Sequence, residues 1–491
     1  MLSNKRNINL KKIALIPFVL IAVNLMGCVS VKEKNEVKKP NIVLIIVDQL
    51  SAEVMTGSSA IWVDTPALDS LSKNAVSFTN CYAPFPLCSP TRASFFTGQY
   101  PSKSLDNVLK YKSLGSLLKE EGYHNEYFGK WHVGRSRIDN SPEILKWSGL
   151  DNYESGVDSV VEKKAIQFLN KGVSNPFFLT VSFNNPHDCC ELARKIGGWN
   201  TRNTFEKGGC IPDLTINQQN DIPLPNTLND FYPLPEVMSN QKPLSIENYI
   251  SIRPTGNWSD KEWIDYRNGY AQLVNCVDAR IGRILQSLKE NGHDENTVVI
   301  FTSDHGDGLG EHGWNQKLAF YDQIIKVPLI IRDPQGLKGS VNHDLVNIGI
   351  DLLPTILGFV GIDQNSYPGE NLKKITTKPL EQITRDYIIS ELDLSIQGLG
   401  TELVPKGAHL DRLLQFESAQ ARMITDGTYK YIVYNMGENP EVFLDLKSDP
   451  NETKNLIEDK NFTQEIFKLK TELQNHIQSV DDDFQSKYLA K

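Results

Sequence analysis

Four short apolar runs punctuate the chain: Ile42 to Val47 (IVLIIV), Phe177 to Phe183 (FFLTVSF), Val298 to Ser303 (VVIFTS) and Val327 to Ile331 (VPLII). Apolar character that does not alternate suits strands buried on both faces. Each run stops close to polar or ionisable residues, the first at Asp48-Gln49 and the third at Asp304-His305. This pattern predicts a mixed or mainly parallel sheet with chemistry at the strand ends, where ligands of open α/β sheets sit. Between the runs the period becomes helical. Thr65-Pro66 is an N-cap and N1 pair opening a helix through Leu68, Leu71 and Val76. Ser259-Asp260-Lys261-Glu262 reads as a capping box for a long helix with the stripe Tyr270, Val274, Val277, Ile281, Ile284 and Leu288, stopped by Asn291-Gly292. Residues 189 to 258, rich in Pro, Asn and Gly, read as long loops over the active-site face. Farther on, Tyr429 to Val433 and Glu441 to Leu444 predict strands of a smaller antiparallel unit, covered by a final helix from Phe462 to Val480.

A chain of 491 residues with 40% hydrophobic content is large enough for one large domain and a smaller one. The formal net charge is −9, and the 51 basic and 60 acidic residues are interspersed, which excludes a basic surface for nucleic acid. A polyanionic substrate would have to be gripped locally. At the N-terminus Lys5, Arg6, Lys11 and Lys12 precede the apolar run Ile13 to Val23, too short for a comfortable membrane span. Residues 1–27 therefore read as a signal peptide rather than an uncleaved anchor helix. The run closes on Leu25-Met26-Gly27-Cys28, which resembles the bacterial lipobox. That resemblance implies acylation of Cys28, a polar tether over 28–39, and an exported lipoprotein of the outer membrane, cell surface or periplasm.

The most specific chemistry lies in Cys88-Ser89-Pro90-Thr91-Arg92, followed by Ala93 to Gly98. It resembles the C-x-P-x-R signature of the formylglycine-dependent (type I) sulfatases. In that family a maturation enzyme oxidises the cysteine to formylglycine (3-oxoalanine). One hydroxyl of the hydrated aldehyde attacks sulfur and the other later expels sulfate, which a serine could not do. The resemblance implies that Arg92 stabilises the modified side chain or the sulfate, and with Pro90 holds the turn at a helix start.

A hard divalent cation wants oxygen ligands, and the pairs Asp48-Gln49 and Asp304-His305 supply carboxylates at two strand ends. A single Asp there is more often a cap, but two such pairs match the sulfatase metal site. The resemblance implies Asp48, Gln49, Asp304 and His305 as ligands together with residue 88, and Ca2+ rather than Mg2+ as the ion. Many relatives carry Asp in place of Gln49 and Asn in place of His305. In Gly129-Lys130-Trp131-His132-Val133-Gly134, Lys130 and His132 would point the same way on an extended segment. In the family the first binds a sulfate oxygen, and the second bonds the formylglycine and helps remove its proton. His187, after Asn185-Pro186, matches the general acid to the departing alcohol. Lys317, beyond Gly306-Asp307-Gly308-Leu309-Gly310-Glu311-His312-Gly313, matches the second sulfate-binding lysine. A lone His or Lys is usually filler; their joint order is the signal.

Leu444-Asp445-Leu446-Lys447-Ser448-Asp449-Pro450, running on to Leu456, resembles the family's C-terminal signature. The implied fold is an alkaline-phosphatase-like α/β/α sandwich with a mixed central sheet over residues 40–385, and a smaller α+β domain over 386–491. Setting aside Cys28 and Cys88 leaves Cys81, Cys189, Cys190, Cys210 and Cys276, an odd number, so at least one is unpaired. Adjacent Cys189 and Cys190 are poorly placed to bond each other. The expected activity is hydrolysis of sulfate esters on carbohydrates such as ulvan, carrageenan, fucoidan or glycosaminoglycans, with sulfated oligosaccharide and the maturation enzyme as partners. His187-Asp188-Cys189-Cys190-Glu191, Arg194, Lys195 and Arg253 stand where loops could meet sugar. The rivals are a phosphodiesterase or phosphonate hydrolase of the same superfamily, a choline-sulfatase-like enzyme and, from another class, a silent glycan-binding lipoprotein.

Overall fold

The computed structural model describes residues 39–55, 63–105, 107–133, 157–173, 176–196, 210, 212–214, 222, 224, 258–362, 366–378, 381–393, 419–436 and 440–489. These lie within one compact unit, Lys39–Lys491. The leader with Cys28, Gly134, Arg253 and most of the stretch 189–258 lie outside the described residues.

At the centre of the molecule runs β1 (Asn41–Asp48), with every residue buried. Its alternation explains the unbroken apolar run. Val43, Ile45 and Val47 face one core, shared with Tyr270, Val274, Val277, Ile281 and Ile284 of the Asp260–Glu290 helix. Ile42, Leu44 and Ile46 face a second core, shared with Phe95 and Phe96 of the Cys88–Thr97 helix and with Leu352, Leu353 and Ile356 of the Ile348–Val360 helix. The result is the α/β/α sandwich, apolar on both faces of the sheet.

Following β1 in the chain come β2 (Val76–Phe78), β3 (Cys81–Tyr82), β4 (His124–Gly129), β5 (Phe177–Pro186), β6 (Thr297–Ser303), β7 (Leu329–Arg332), β8 (Ser340–Asn342) and β9 (Val346–Asn347). The main sheet has seven strands in the order β4-β5-β1-β6-β7-β2-β8, and β3 and β9 form a separate pair. Strands β4, β5, β1 and β6 are mutually parallel, with Ile42 facing Phe178 on one side and Val298 on the other. Strand β7 reverses direction against both β6 and β2.

The capping box at Ser259 forms with both reciprocal bonds, and the long helix stops at Asn291. The helix opened by Pro66 is shorter than the spacing predicts: it ends at Ser72, and Val76 belongs to β2. Val76 and Phe78 pair with Ile331 and Leu329, so period-2 burial against β7 overrides the helical spacing. Thr65 bonds Asp69 instead of capping the backbone, and the first-turn N–H groups of Ala67 and Leu68 donate to Asp278 of the long helix at 3.0 and 2.9 Å.

The C-terminal sheet is antiparallel, in the order β10 (Ile388–Asp393), β11 (Gln420–Thr425), β12 (Tyr429–Tyr434) and β13 (Glu441–Asp445). One face meets Leu87, Cys88, Leu318 and Phe320 through Leu392, Met423 and Ile432, so this sheet floors the loops that carry Cys88 and Lys317. Its other face is covered by Leu469 and Leu473 of the Thr463–Ser479 helix. Cys210 bonds Cys276, while Cys81, Cys88, Cys189 and Cys190 are free and buried, so three of the five counted cysteines stay as thiols.

Candidate active site

Because β4, β5, β1 and β6 run the same way, their C-terminal ends bring Lys130, His187, Asp48 and Asp304 to one edge of the sheet. Cys88 is the first residue of the helix that packs beneath that edge. The turn out of β4 is possible only because residue 129 is glycine. Its φ is +106°, and a Cβ there would stand 1.9 Å from the Ser182 carbonyl, the group that also accepts the Lys130 N–H at 2.9 Å.

Arg92, fully buried, ties these ends together. Its Nε donates to Asp304 Oδ2 at 2.7 Å, one terminal nitrogen to Asp48 Oδ2 at 3.3 Å, and the other to the Lys130 carbonyl and Ser182 Oγ at 2.8 Å each. Lys130 Nζ adds a second cation 2.7 Å from Asp48 Oδ2. Burial alone would raise the Asp48 pKa, but Lys130, His187 and Arg92 overcome it and hold the carboxylate well below its ordinary range. The guanidinium thus pairs the carboxylates behind the site, with Cys88 also among the groups whose charge acts on it.

The geometry calls for a cation. Asp48 Oδ1 and His305 Nε2 are both buried without a hydrogen-bond partner, 3.8 Å apart. His305 Nδ1 lies 2.8 Å from the Gly306 carbonyl and must carry the proton there, so Nε2 turns a lone pair toward the carboxylate oxygen. Two buried lone pairs facing each other fit a metal ion between them. One ligand atom each from Asp48, Cys88 and His305 lie within 4.8 Å of one another, and Asp304 Oδ1 borders the group, 3.9 Å from His305 Nε2. Gln49 does not join it. With a left-handed backbone (φ 72°), its amide instead donates from Nε2 to Asp307 Oδ2 at 2.7 Å and accepts from Lys317 Nζ at 3.2 Å. The side chain expected among the metal ligands belongs to a neighbouring polar network.

His132 Nδ1 lies 3.2 Å from Cys88 Sγ. Strand β4 ends at Gly129 and His132 has φ 47°, so Lys130 and His132 converge through a turn, not through the strand alternation expected from their spacing. Burial, then the Lys130 charge, hold His132 down at about 3. Burial, Lys130 and Lys317 hold His187 well below its usual value. Burial pushes the Cys88 thiol up, but Lys317 and Lys130 pull it down further. Lys317 shows the reverse balance: burial lowers it, and Cys88, Cys190 and Asp48 raise it above the usual lysine value. Its loop is strapped tightly, with left-handed Gln316 and Leu318 on either side, Gly308 N–H on the Gln316 carbonyl at 2.7 Å, and Leu318 N–H on the Pro86 carbonyl at 3.1 Å.

Four residues of this region, Asp158, Ser182, Tyr266 and Asp307, are not among the site residues expected from the sequence. Asp158 accepts from the N–H groups of Asn184 and Asn185 at 2.7 and 3.0 Å, fixing the loop that carries His187. Tyr266 donates to Asp307 Oδ2 at 2.9 Å, and Ser182 receives Arg92. Only Asp307 had a signal, its place two residues after His305. Of the residues thought able to meet sugar, Asp188, Cys190 and Glu191 are buried and Lys195 is exposed.

A sulfatase family model matches residues 40–362. The chain belongs to the sulfatase family, and its activity is that of a sulfuric ester hydrolase. It is 27% identical over 532 residues to the ulvan-active sulfatase of Formosa agariphila, covering 99% of this chain and 92% of that one. It is 25% identical over 475 residues to the Δ4,5-hexuronate-2-O-sulfatase of Bacteroides thetaiotaomicron, covering 91% of each. A solved structure of a protein in complex with its substrate, D-glucosamine-2-N,6-O-disulfate, shares the fold with a TM-score of 0.69 at 22% identity, over 91% of this chain and 99% of that one. Sulfatases generally use a formylglycine and a divalent cation, and the cluster of Asp48, Cys88 and His305 offers a metal site.

Proposed function

We propose that this sulfatase removes sulfate from carbohydrate esters during the breakdown of sulfated polysaccharides, algal ones such as ulvan or glycosaminoglycans. The observation that carries the reading is the placement of Cys88 against Asp48 and His305, in the field of Lys130 and Lys317. The carbohydrate part rests on the relatives, whose names specify ulvan and a hexuronate.

A formylglycine at position 88 would supply the nucleophilic hydroxyl, and a divalent cation held by Asp48, Asp304, His305 and residue 88 would neutralise charge beside it. Sγ marks where the hydroxyls of that group would stand, and His132 at 3.2 Å is placed to bond the hydroxyl that does not attack and to take its proton when sulfate is eliminated. Lys130 and Lys317 bind sulfate oxygens, and Arg92 keeps both carboxylates in position. His187 delivers a proton to the leaving oxygen. In the free protein the two lysines help keep it neutral, and an anion bound between them offsets their charge and raises its pKa toward proton delivery.

Calcium is the proposed ion because the family resemblance implies it; the carboxylate donors Asp48 and Asp304 suit a hard divalent cation of either kind. Chelation is expected to abolish sulfate release and lower Tm, since it leaves Asp48 Oδ1 and His305 Nε2 facing each other unpaired. Calcium should restore both more fully than magnesium; activity and Tm indifferent to chelation would remove the ion from this site.

Mass spectrometry of the peptide containing residue 88, from protein coexpressed with a formylglycine-generating maturation enzyme, tests the main reading alongside release assays on sulfated sugars and phosphate esters. Conversion of Cys88 to the aldehyde with sulfate released is the expected result. Full conversion with phosphate but no sulfate released would move the protein to the phosphodiesterases. The same spectra read the N-terminal peptide. Export and membrane anchoring by an acylated Cys28 are part of the proposal, resting on Lys5, Arg6 and the run ending at Gly27-Cys28. An unacylated mature N-terminus would sink that part.

A further inference from the structure

Asp307 is a fully buried acid that touches neither the metal cluster nor Cys88. Its Oδ1 accepts the Leu309 N–H at 2.8 Å, and its Oδ2 accepts Tyr266 Oη at 2.9 Å, Gln49 Nε2 at 2.7 Å and the Cys189 thiol at 3.5 Å, whose sulfur also lies 3.2 Å from Gln49 Nε2. A carboxylate only accepts, so the Gln49 amide has one permitted orientation, with its NH2 toward Asp307. Its oxygen is then left facing Lys317 Nζ at 3.2 Å. Lys317 is 2% exposed, and the other groups whose charge acts on it are Cys88, Asp48 and Asp304 of the reacting centre together with Cys190.

We infer that Asp307 is a positioning residue for Lys317, acting through a Gln49 amide whose orientation it locks, so that the sulfate-binding ammonium is aimed by a carboxylate it never touches. The inference rests on the sulfatase reading for the role of Lys317. It also accounts for glutamine at position 49: an aspartate there would be too short to span Asp307 and Lys317 and would set two carboxylates against each other. Tyr266, anchored in the Asp260–Glu290 helix, ties the relay to the rigid core.

The chemistry predicts a specific pattern of loss and rescue. In Asp307→Asn, the Leu309 N–H keeps the new amide oxygen, so its NH2 meets the Gln49 NH2. Gln49 must then turn its own NH2 toward Lys317, a donor against a cation. In Gln49→Glu, the carboxylate suits Lys317 but opposes Asp307. In the double variant the amide introduced at position 307 donates to the carboxylate introduced at position 49, and that carboxylate also accepts from Lys317. The bonds between positions 307, 49 and 317 again run from donor to acceptor and net charge is unchanged, while the Tyr266 hydroxyl, which donates to Asp307 in the wild type, must turn to accept the second amide hydrogen.

The experiment measures kcat and KM for a sulfate ester and the affinity for inorganic sulfate by calorimetry. Residue 88 conversion and metal content are read in wild type, both single variants and the double variant. Expected is a loss of roughly 10–100-fold in kcat/KM and weaker sulfate binding in Asp307→Asn. The double variant should recover to within about fivefold of wild type, with metal and conversion unchanged throughout. A purely structural carboxylate would lower Tm and would not be rescued from position 49. A single variant within about threefold of wild type, a double variant no better than the worse single one, or metal lost with Asp307→Asn would each overturn the inference. Fully converted wild type that turns over no sulfate ester would instead fail the sulfatase reading, and the relay would fall with it.

Discussion

Replacing Arg92 with alanine is expected to cost about 3–5 kcal/mol of stability, because it leaves two carboxylates in the interior without the guanidinium that pairs them. Asp48 would retain Lys130 Nζ at 2.7 Å, whereas Asp304 would keep, among the described residues, the backbone N–H groups of Gln49 and His305 and no side-chain cation, with the bound metal as its remaining positive charge. Asp304 therefore bears most of the cost. Arg92→Lys should rescue little, since one compact ammonium cannot reach Asp304, Asp48, the Lys130 carbonyl and Ser182 Oγ together. The denaturant midpoint at constant m-value measures the effect. The same variants should lose at least about 100-fold in kcat/KM, because both carboxylates of the cation site lose their alignment. Acid unfolding gives a second reading. Asp48 is held well below its ordinary value, so its pairing contributes fully above the ordinary carboxylate range and is lost as pH falls through the depressed value. Without Arg92 part of that contribution is missing at neutral pH, and the acid limb should begin higher. An Arg92→Lys variant with the wild-type midpoint would show that the four-way bond network carries no stability.

How far the sequence reaches depends on whether a signal is local. Ile42 to Val47 announces a strand buried on both faces because two helical layers demand it, and Ser259 with Glu262 announces a helix start because both partners lie three residues apart. The residue types at the strand ends were legible for the same reason: Asp48, His187 and Asp304 each follow a recognisable run, while Lys130 stood out by its motif with His132, the strand before it (His124–Gly129) being too polar to announce itself. What failed was geometry set by distant partners. Nothing local to Arg92 reports that Asp304, 212 residues away, takes its Nε. Gln49 reads as a metal ligand until Asp307 and Lys317 take its amide. The helix beginning at Pro66 loses Val76 to pairing with Ile331, a partner no local spacing reports. Lys130 and His132 do converge, but through a glycine at φ +106° and a left-handed His132. In each case the residue types were right and a tertiary hydrogen bond or strand pairing chose the conformation.

Cys88→Ala should separate chemistry from folding in the opposite sense to Arg92→Ala. Cys88 is 2% exposed at the first position of its helix, where alanine is well tolerated, and the thiol's side-chain bond is to His132 Nδ1. Removing one sulfur leaves a small void and no buried unpaired charge, so the stability change should stay within about 1–2 kcal/mol. Turnover should fall by roughly 10⁴–10⁶-fold, because the lost atom is the one from which the nucleophile is made and no neighbour can replace it. His132 and His187 are both held neutral, and Lys130 and Lys317 are placed to bind an anion and not to attack it. A folded Cys88→Ala protein should therefore still bind inorganic sulfate between the lysines, and should keep Asp48, Asp304 and His305 as a weakened cation site. Sulfate affinity retained with release abolished would assign binding to the lysines and chemistry to residue 88. Release retained at more than about 1% of wild type would mean that water, activated at the cation site, attacks sulfur without residue 88, and the buried cysteine would lose its claim to the reaction.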